Sequence, residues 1–158
     1  HALANKRGVY LDTSIISYLV DTREDIKTFS EITVDWWKTQ RKFFHTYVSP
    51  EVLAELEKGN YPEKNKAMNA VIELELLKRT HEIIEIAGIY ISQYLMPKDF
   101  QGDAMHLAYA SYYKIDFLLT WNCKHLANAN KKDHIRKINT KLNLFIPEII
   151  TPMELFNE

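Results

Sequence analysis

Five short apolar runs, each parted from the next by a segment long enough to hold a helix, constrain this chain more than any other feature. The runs are Val9 to Leu11, Thr46 to Ser49, Ile83 to Ile86, Asp116 to Thr120 and Ile146 to Ile150. Between them, residues 30–44 carry Ile32, Trp36 and Phe43 at helical intervals, residues 62–78 carry Ala67, Val71, Leu74 and Leu77, and residues 102–114 carry Leu107, Ala108, Ser111 and Tyr112. A strand that reaches the next strand through a long crossover pairs with its neighbours in parallel, and a parallel sheet is covered by helices. Asn-Gly hairpin signals are missing, which argues against an antiparallel barrel. Pro147 interrupts the last run, so that strand is expected to start late or to lie at an edge.

The chain of 158 residues suits one domain, expected over residues 9–158, with residues 1–8 (HALANKRG) read as an appended or disordered start. Hydrophobic residues at 46% and charged residues at 26% give an ordinary globular balance. No apolar run is long enough to span a bilayer and no signal peptide is visible, so a cytoplasmic protein with no membrane partner is expected. Cys123 is the single cysteine, which excludes an internal disulfide and suits a reducing compartment. It has no paired base in the local sequence, so it is read as packing rather than as a nucleophile. The net charge of −1 excludes polyanion binding by bulk charge. Residues 123–144, however, set Lys124, Lys131, Lys132, Arg136, Lys137 and Lys141 against Asp133 alone. Two readings stand: solvated helix faces, or a local track for phosphates.

Four positions carry candidate chemistry. Asp12 follows the first strand, and ligands of open α/β sheets sit beyond the carboxyl ends of strands. Asp12 is a capable helix cap, but Thr13 and Ser14 are read as better ones, which leaves it free for other work. Glu55 lies in SPEVLAELEKG, where Ser49 suits an N-cap, Pro50 a first helical position and Gly59 a terminator. It shares a face with Glu51, whose first-turn position is explained by the helix dipole alone. Asp103 opens the helix QGDAMHLAYASYY, with His106 three residues on as a partner or core residue able to orient it. Asn122 follows Thr120 at another strand end and is equally a helix cap. Carboxylates gathered at one edge repel one another and raise each other's pKa; a hard divalent cation such as Mg²⁺ or Mn²⁺ relieves that conflict. No cluster of zinc type is present.

The ordered set LDTS, SPEVLAELEKG, GDAMHLAYA and LLTWNCKHL resembles the PIN-domain family of metal-dependent ribonucleases, which includes VapC-type toxins. The resemblance runs from Val9 to about Leu155. It implies a three-layer α/β/α sandwich around a mainly parallel five-stranded sheet. It also implies a site of Asp12, Glu55 and Asp103 holding Mg²⁺ or Mn²⁺, with Asn122 at a fourth position that is usually Asp. Thr13, Ser14, Thr120 and His106 are expected to support that site, and Lys124, Lys131, Lys132 and Arg136 to meet RNA. The function implied is endoribonuclease, as a toxin or stand-alone protein; a toxin would have an antitoxin peptide over its acidic site. The alternative is a weakened PIN-fold module that binds RNA or protein. A phosphatase of the haloacid-dehalogenase type would need a second Asp where Ser14 stands. Trp36, Trp37 and Trp121 are candidates for a homodimer surface, with core packing the plainer reading.

Overall fold

A computed structural model describes residues 5–93, 95 and 101–156, with Gln101 described in its backbone only. Residues 1–4 of the expected start and 94, 96–100 and 157–158 of the expected domain lie outside the described residues. Strand β1 spans Arg7–Leu11, two residues earlier than the apolar run suggested, and is followed by α1 (Thr13–Val20) and α2 (Lys27–Thr39). Then come β2 (Phe44–Val48), α3 (Pro50–Glu57), α4 (Lys64–Ile72), β3 (Glu75–Leu76), α5 (His81–Ser92) and α6 (Gln101–Tyr112). The chain closes with β4 (Phe117–Leu119), α7 (Ala129–Lys141) and β5 (Glu148–Ile150).

The sheet order is β3-β2-β1-β4-β5 and every pairing is parallel, as the strand–crossover pattern requires. Right-handed crossovers place α1 to α4 on one face and α5 to α7 on the other. Packing agrees: α1 contacts α2, α3 and α4, while α5 contacts α6. The central strand is covered on both sides, so Val9, Tyr10 and Leu11 are all fully buried. Ile15 and Ile16 anchor α1 in the same core, each contributing on the order of 2 kcal/mol by burial. Trp36 is fully buried too, and its indole N–H donates to the Leu155 carbonyl at 2.9 Å, tying the end of the chain to α2.

One expected strand is corrected. Ile83 to Ile86 belongs to helix α5, capped by the Thr80 hydroxyl, and Ile83, Ile86, Ala87 and Tyr90 face inward at helical spacing. The third strand is instead Glu75–Leu76, a short edge piece with both residues exposed. The last strand does start late, after Pro147, and lies at the other edge.

The order reverses between β1 and β4: the first two crossovers move one way from β1, the last two return and continue the other way. Ligands of open α/β sheets bind at such a switch, outside the carboxyl ends. Leu11 pairs with Leu119, so the next residues, Asp12 and Thr120, meet at that point.

Candidate active site

Asp12 is 3% exposed and sits at the switch between two roles. Its Oδ1 accepts from the Ser14 backbone N–H at 3.0 Å and from the Ser14 hydroxyl at 2.5 Å, so Asp12 itself caps α1. The expectation that Thr13 and Ser14 would take the cap is therefore corrected. An aspartate ending a strand already has the extended backbone an N-cap needs, and its side chain reaches the free N–H groups of the first turn. Its Oδ2 accepts from the Thr120 hydroxyl. Burial pushes the Asp12 carboxyl up from its ordinary value, against the charge of His106 and the hydroxyls of Ser14 and Thr120.

Glu55 comes from α3, which Ser49 caps and Pro50 starts as expected; Gly59 beyond its end takes φ +79°, a left-handed backbone that suits glycine. Its Oε1 accepts from the Thr13 hydroxyl and from His106 Nε2 at 2.8 Å. His106 is 2% exposed, and its Nδ1 lies 2.6 Å from the Tyr10 hydroxyl, which lies 2.6 Å from Ser49 Oγ. A neutral imidazole that donates from Nε2 to Glu55 accepts at Nδ1 from Tyr10, and Tyr10 accepts from Ser49. Burial pulls the His106 pKa down, but the Glu55 hydrogen bond and the charges of Glu55, Asp12 and Asp103 outweigh it and leave it raised. For Glu55, burial raises the pKa, yet His106 and Thr13 win and hold it below the ordinary value.

Asp103 sits in the first turn of α6, and its Oδ2 accepts from Asn122 Nδ2 at 2.8 Å. Burial, then the charge of Asp12, push its pKa up to about 6, with Glu55 adding to the rise and His106 opposing it. Asn122 uses its other atom as a cap: Oδ1 accepts from the His125 N–H at 3.1 Å, and its own N–H donates to Thr120 Oγ1 at 2.9 Å. Its capping and site roles hold together, one per side-chain atom. Gly102 gives the site its closeness, since a Cβ there would overlap the Glu55 carboxylate.

The structure thus brings these residues to one sheet edge in two hydrogen-bonded sets, one of Asp12, Ser14, Thr120, Asn122 and Asp103, the other of Thr13, Glu55 and His106, with the charge of His106 acting across on Asp12 and Asp103. The basic residues read from the sequence stand apart from it in their bonding. The Lys131 ammonium donates to the Leu95 carbonyl, Arg136 pairs with Asp133 at 2.7 Å, and Lys132 and Arg136 line a groove beside Glu148. Lys124 is exposed on the loop after Asn122. Of the tryptophans, Trp36 is core, Trp37 is half-buried with the Arg41 guanidinium 4.1 Å over its ring, and Trp121 is half-buried against Phe29 and Tyr18.

Sequence reading missed Tyr10 and the Glu51 cluster. Tyr10 was legible only as an aromatic in an otherwise aliphatic central strand. Glu51 accepts from the Tyr109 hydroxyl and, at 3.0 Å, from Arg79; no spacing rule links these positions.

Oxygen chemistry suits a hard cation here: Asp103 and Glu55 each keep one carboxylate oxygen without a hydrogen bond among the described residues, and both remaining neighbours, Asp12 and Asn122, also bear oxygen. No group of three or more His, Cys, Asp or Glu side chains among the described residues is drawn together tightly enough to hold a metal. Mg²⁺ needs less than that, because it keeps several waters and binds through one or two carboxylates.

Several solved structures resemble this chain, among them the following three. A toxin–antitoxin complex from Klebsiella pneumoniae matches with TM-score 0.57 and 19% identity, covering 78% of this chain and 93% of that one. VapBC2 from Rickettsia felis, bound to a DNA fragment from its promoter, matches with TM-score 0.54 and 16% identity over 91% of this chain and 98% of that one. Mycobacterium tuberculosis VapC20, a sarcin–ricin loop cleaving toxin, matches with TM-score 0.52 and 16% identity over 70% and 86%. The fold is PIN-like, of the VapC type. No protein-family model and no curated protein matches the sequence. Of the four quoted motifs, LDTS lies at the junction of β1 and α1, SPEVLAELEKG on α3 and its ends, GDAMHLAYA on α6, and LLTWNCKHL on β4 and the turn after it. No helix among the described residues is long and apolar enough to cross a membrane.

Proposed function

We propose that this protein is a Mg²⁺- or Mn²⁺-dependent endoribonuclease of the toxin type, acting in the cytoplasm and held in check by an antitoxin peptide over the acidic edge. The convergence of Asp12, Glu55, Asp103 and Asn122 at the β1/β4 switch of a PIN-like sheet carries this reading. Asp103 and Glu55 would hold the ion with their uncommitted oxygens, and Asp12 would stand behind them. When bound, such an ion lowers the pKa of a water and stabilises charge on a phosphodiester. The chain's own residues set the stage for that chemistry. Thr13 and His106 fix the direction of the Glu55 carboxylate, Ser14 and Thr120 fix Asp12, and Asn122 steadies Asp103 without adding charge. Solved structures of the same fold that include a sarcin–ricin loop cleaving toxin and toxin–antitoxin complexes support the substrate and partner classes. The test is cleavage of RNA with Mn²⁺ or Mg²⁺, with EDTA, and with Asp12→Ala and Asp103→Ala. Cleavage that survives both substitutions points to a contaminant and removes the assignment.

A second reading, a weakened module that binds RNA or protein, has two observations in its favour. No close trio of metal-binding side chains stands among the described residues, and Asn122 supplies an amide where the resemblance expects a carboxylate. Calorimetry with Mn²⁺ separates the two: absent binding heat, with cleavage gained by Asn122→Asp, favours the module.

A further inference from the structure

The cations best placed to meet a substrate are not the ones that stand out in the sequence. On α7, Arg136 and Lys137 both clamp Asp133, at 2.7 and 3.1 Å, and Lys131 is committed to a backbone carbonyl. Two grooves meet at Glu55. One, of about 560 Å³, passes Asp21, Arg23 and Glu63. There Arg23 is consumed by Asp21 through hydrogen bonds of 2.7 to 3.1 Å, so that groove is acidic on balance. The other, of about 460 Å³, runs between α3, α5 and α6, and is lined by Lys58, Arg79 and Gly102 along with Glu55.

The second groove has the features a polyanion needs. Lys58 is exposed, its ammonium has no hydrogen bond or ion pair among the described residues, and its charge acts on Glu55. Arg79 is pinned through one nitrogen by Glu51 at 3.0 Å, and Glu51 is itself held by the Tyr109 hydroxyl. That leaves the rest of the guanidinium fork without a partner among the described residues, already oriented for a phosphate. Gly102 keeps the floor of the groove low where Glu55 meets α6. Asp12, Glu55 and Asp103 repel an approaching RNA, so its backbone requires countercharge close to them.

We propose that the groove bounded by Lys58, Arg79 and Gly102 is a phosphate subsite that seats the backbone of single-stranded RNA beside Glu55. This rests on the ribonuclease reading and adds the path the substrate takes. The experiment is fluorescence anisotropy of labelled single-stranded RNA over a salt series, in an Asp103→Asn background that blocks cleavage, with melting curves to verify folding. Lys58→Gln and Arg79→Gln are each expected to weaken binding by roughly 5- to 10-fold regardless of sequence. Each should also flatten the slope of log affinity against log salt by about 0.7, the value for one lost phosphate contact on a single strand. Lys58 is exposed and its side chain makes no hydrogen bond or ion pair among the described residues, so Lys58→Gln remains informative even where Arg79→Gln disturbs Glu51. Unchanged binding by both variants, or a loss that falls on Arg136→Ala and Lys132→Ala instead, overturns the subsite. If the native protein cleaves RNA while both variants bind normally, the subsite alone falls. If the native protein neither binds nor cleaves RNA, the ribonuclease reading falls with it.

Discussion

Asp103→Asn is expected to make the metal-free protein more stable while destroying its activity. Asp103 carries a pKa of about 6 in the fold, because it is buried and faces the charge of Asp12. An unfolded chain binds that proton with the ordinary value of 3.8, so the folded state holds it more tightly. Stability from this group is therefore present at low pH and is lost as pH rises from about 4 through 6. The whole shift corresponds to about 3 kcal/mol, and partial exposure to water reduces it to about 1–2 kcal/mol. Asparagine removes the charge and keeps an oxygen for the Asn122 amide, which donates at 2.8 Å. In EDTA at pH 7.5 the variant should melt about 2–8 °C higher than the native protein. At pH 4 the difference should largely disappear, since in the fold both side chains are then neutral. Differential scanning calorimetry at the two pH values measures this. A variant that melts at or below the native temperature at pH 7.5, or gains as much at pH 4, refutes the idea that unrelieved carboxylate repulsion shapes this edge.

Three further outcomes follow from the same geometry. Adding Mn²⁺ in EDTA-free buffer should raise the melting temperature of the native protein and leave Asp103→Asn nearly unmoved, because a ligand stabilises only what it binds. His106→Ala should lower Mn²⁺ affinity about 10- to 100-fold by calorimetry, since Glu55 loses the partner that aims it, with a smaller change for His106→Gln. Tyr90→Phe should cost about 1–3 kcal/mol in urea denaturation with no effect on RNA cleavage: its hydroxyl donates to Asn139 at 2.7 Å and contacts Ser111 at 3.0 Å, deep in the α5–α6–α7 face and away from the acids.

The sequence made the architecture legible because long crossovers leave a sheet little freedom, and because the central strand is apolar on both faces. It misled at Ile83–Ile86, where dense isoleucine imitates a buried strand; the longer run through Tyr90 has helical spacing and Thr80 caps it. Glu75–Leu76 was invisible because a two-residue edge strand with exposed side chains needs no hydrophobic pattern. The four acidic-edge positions were readable from motif order. Their partners were not: Tyr10 to His106, and Glu51 to Tyr109, are contacts between residues far apart in the chain, set by tertiary packing. Asp12 was misjudged as spared from capping because one carboxylate has two oxygens, and the chain uses one for the helix and the other for Thr120.

Tyr10 occupies the middle of the innermost strand, yet its hydroxyl reaches both Ser49 and His106. Its ring fills space like any core residue, and its oxygen steers a side chain at the rim. A phenylalanine there would leave the molecule compact while unhooking the imidazole, so evolution has no freedom to optimise the interior at this position independently of the edge. Drift that looks harmless in a stability screen would register as a detuned site.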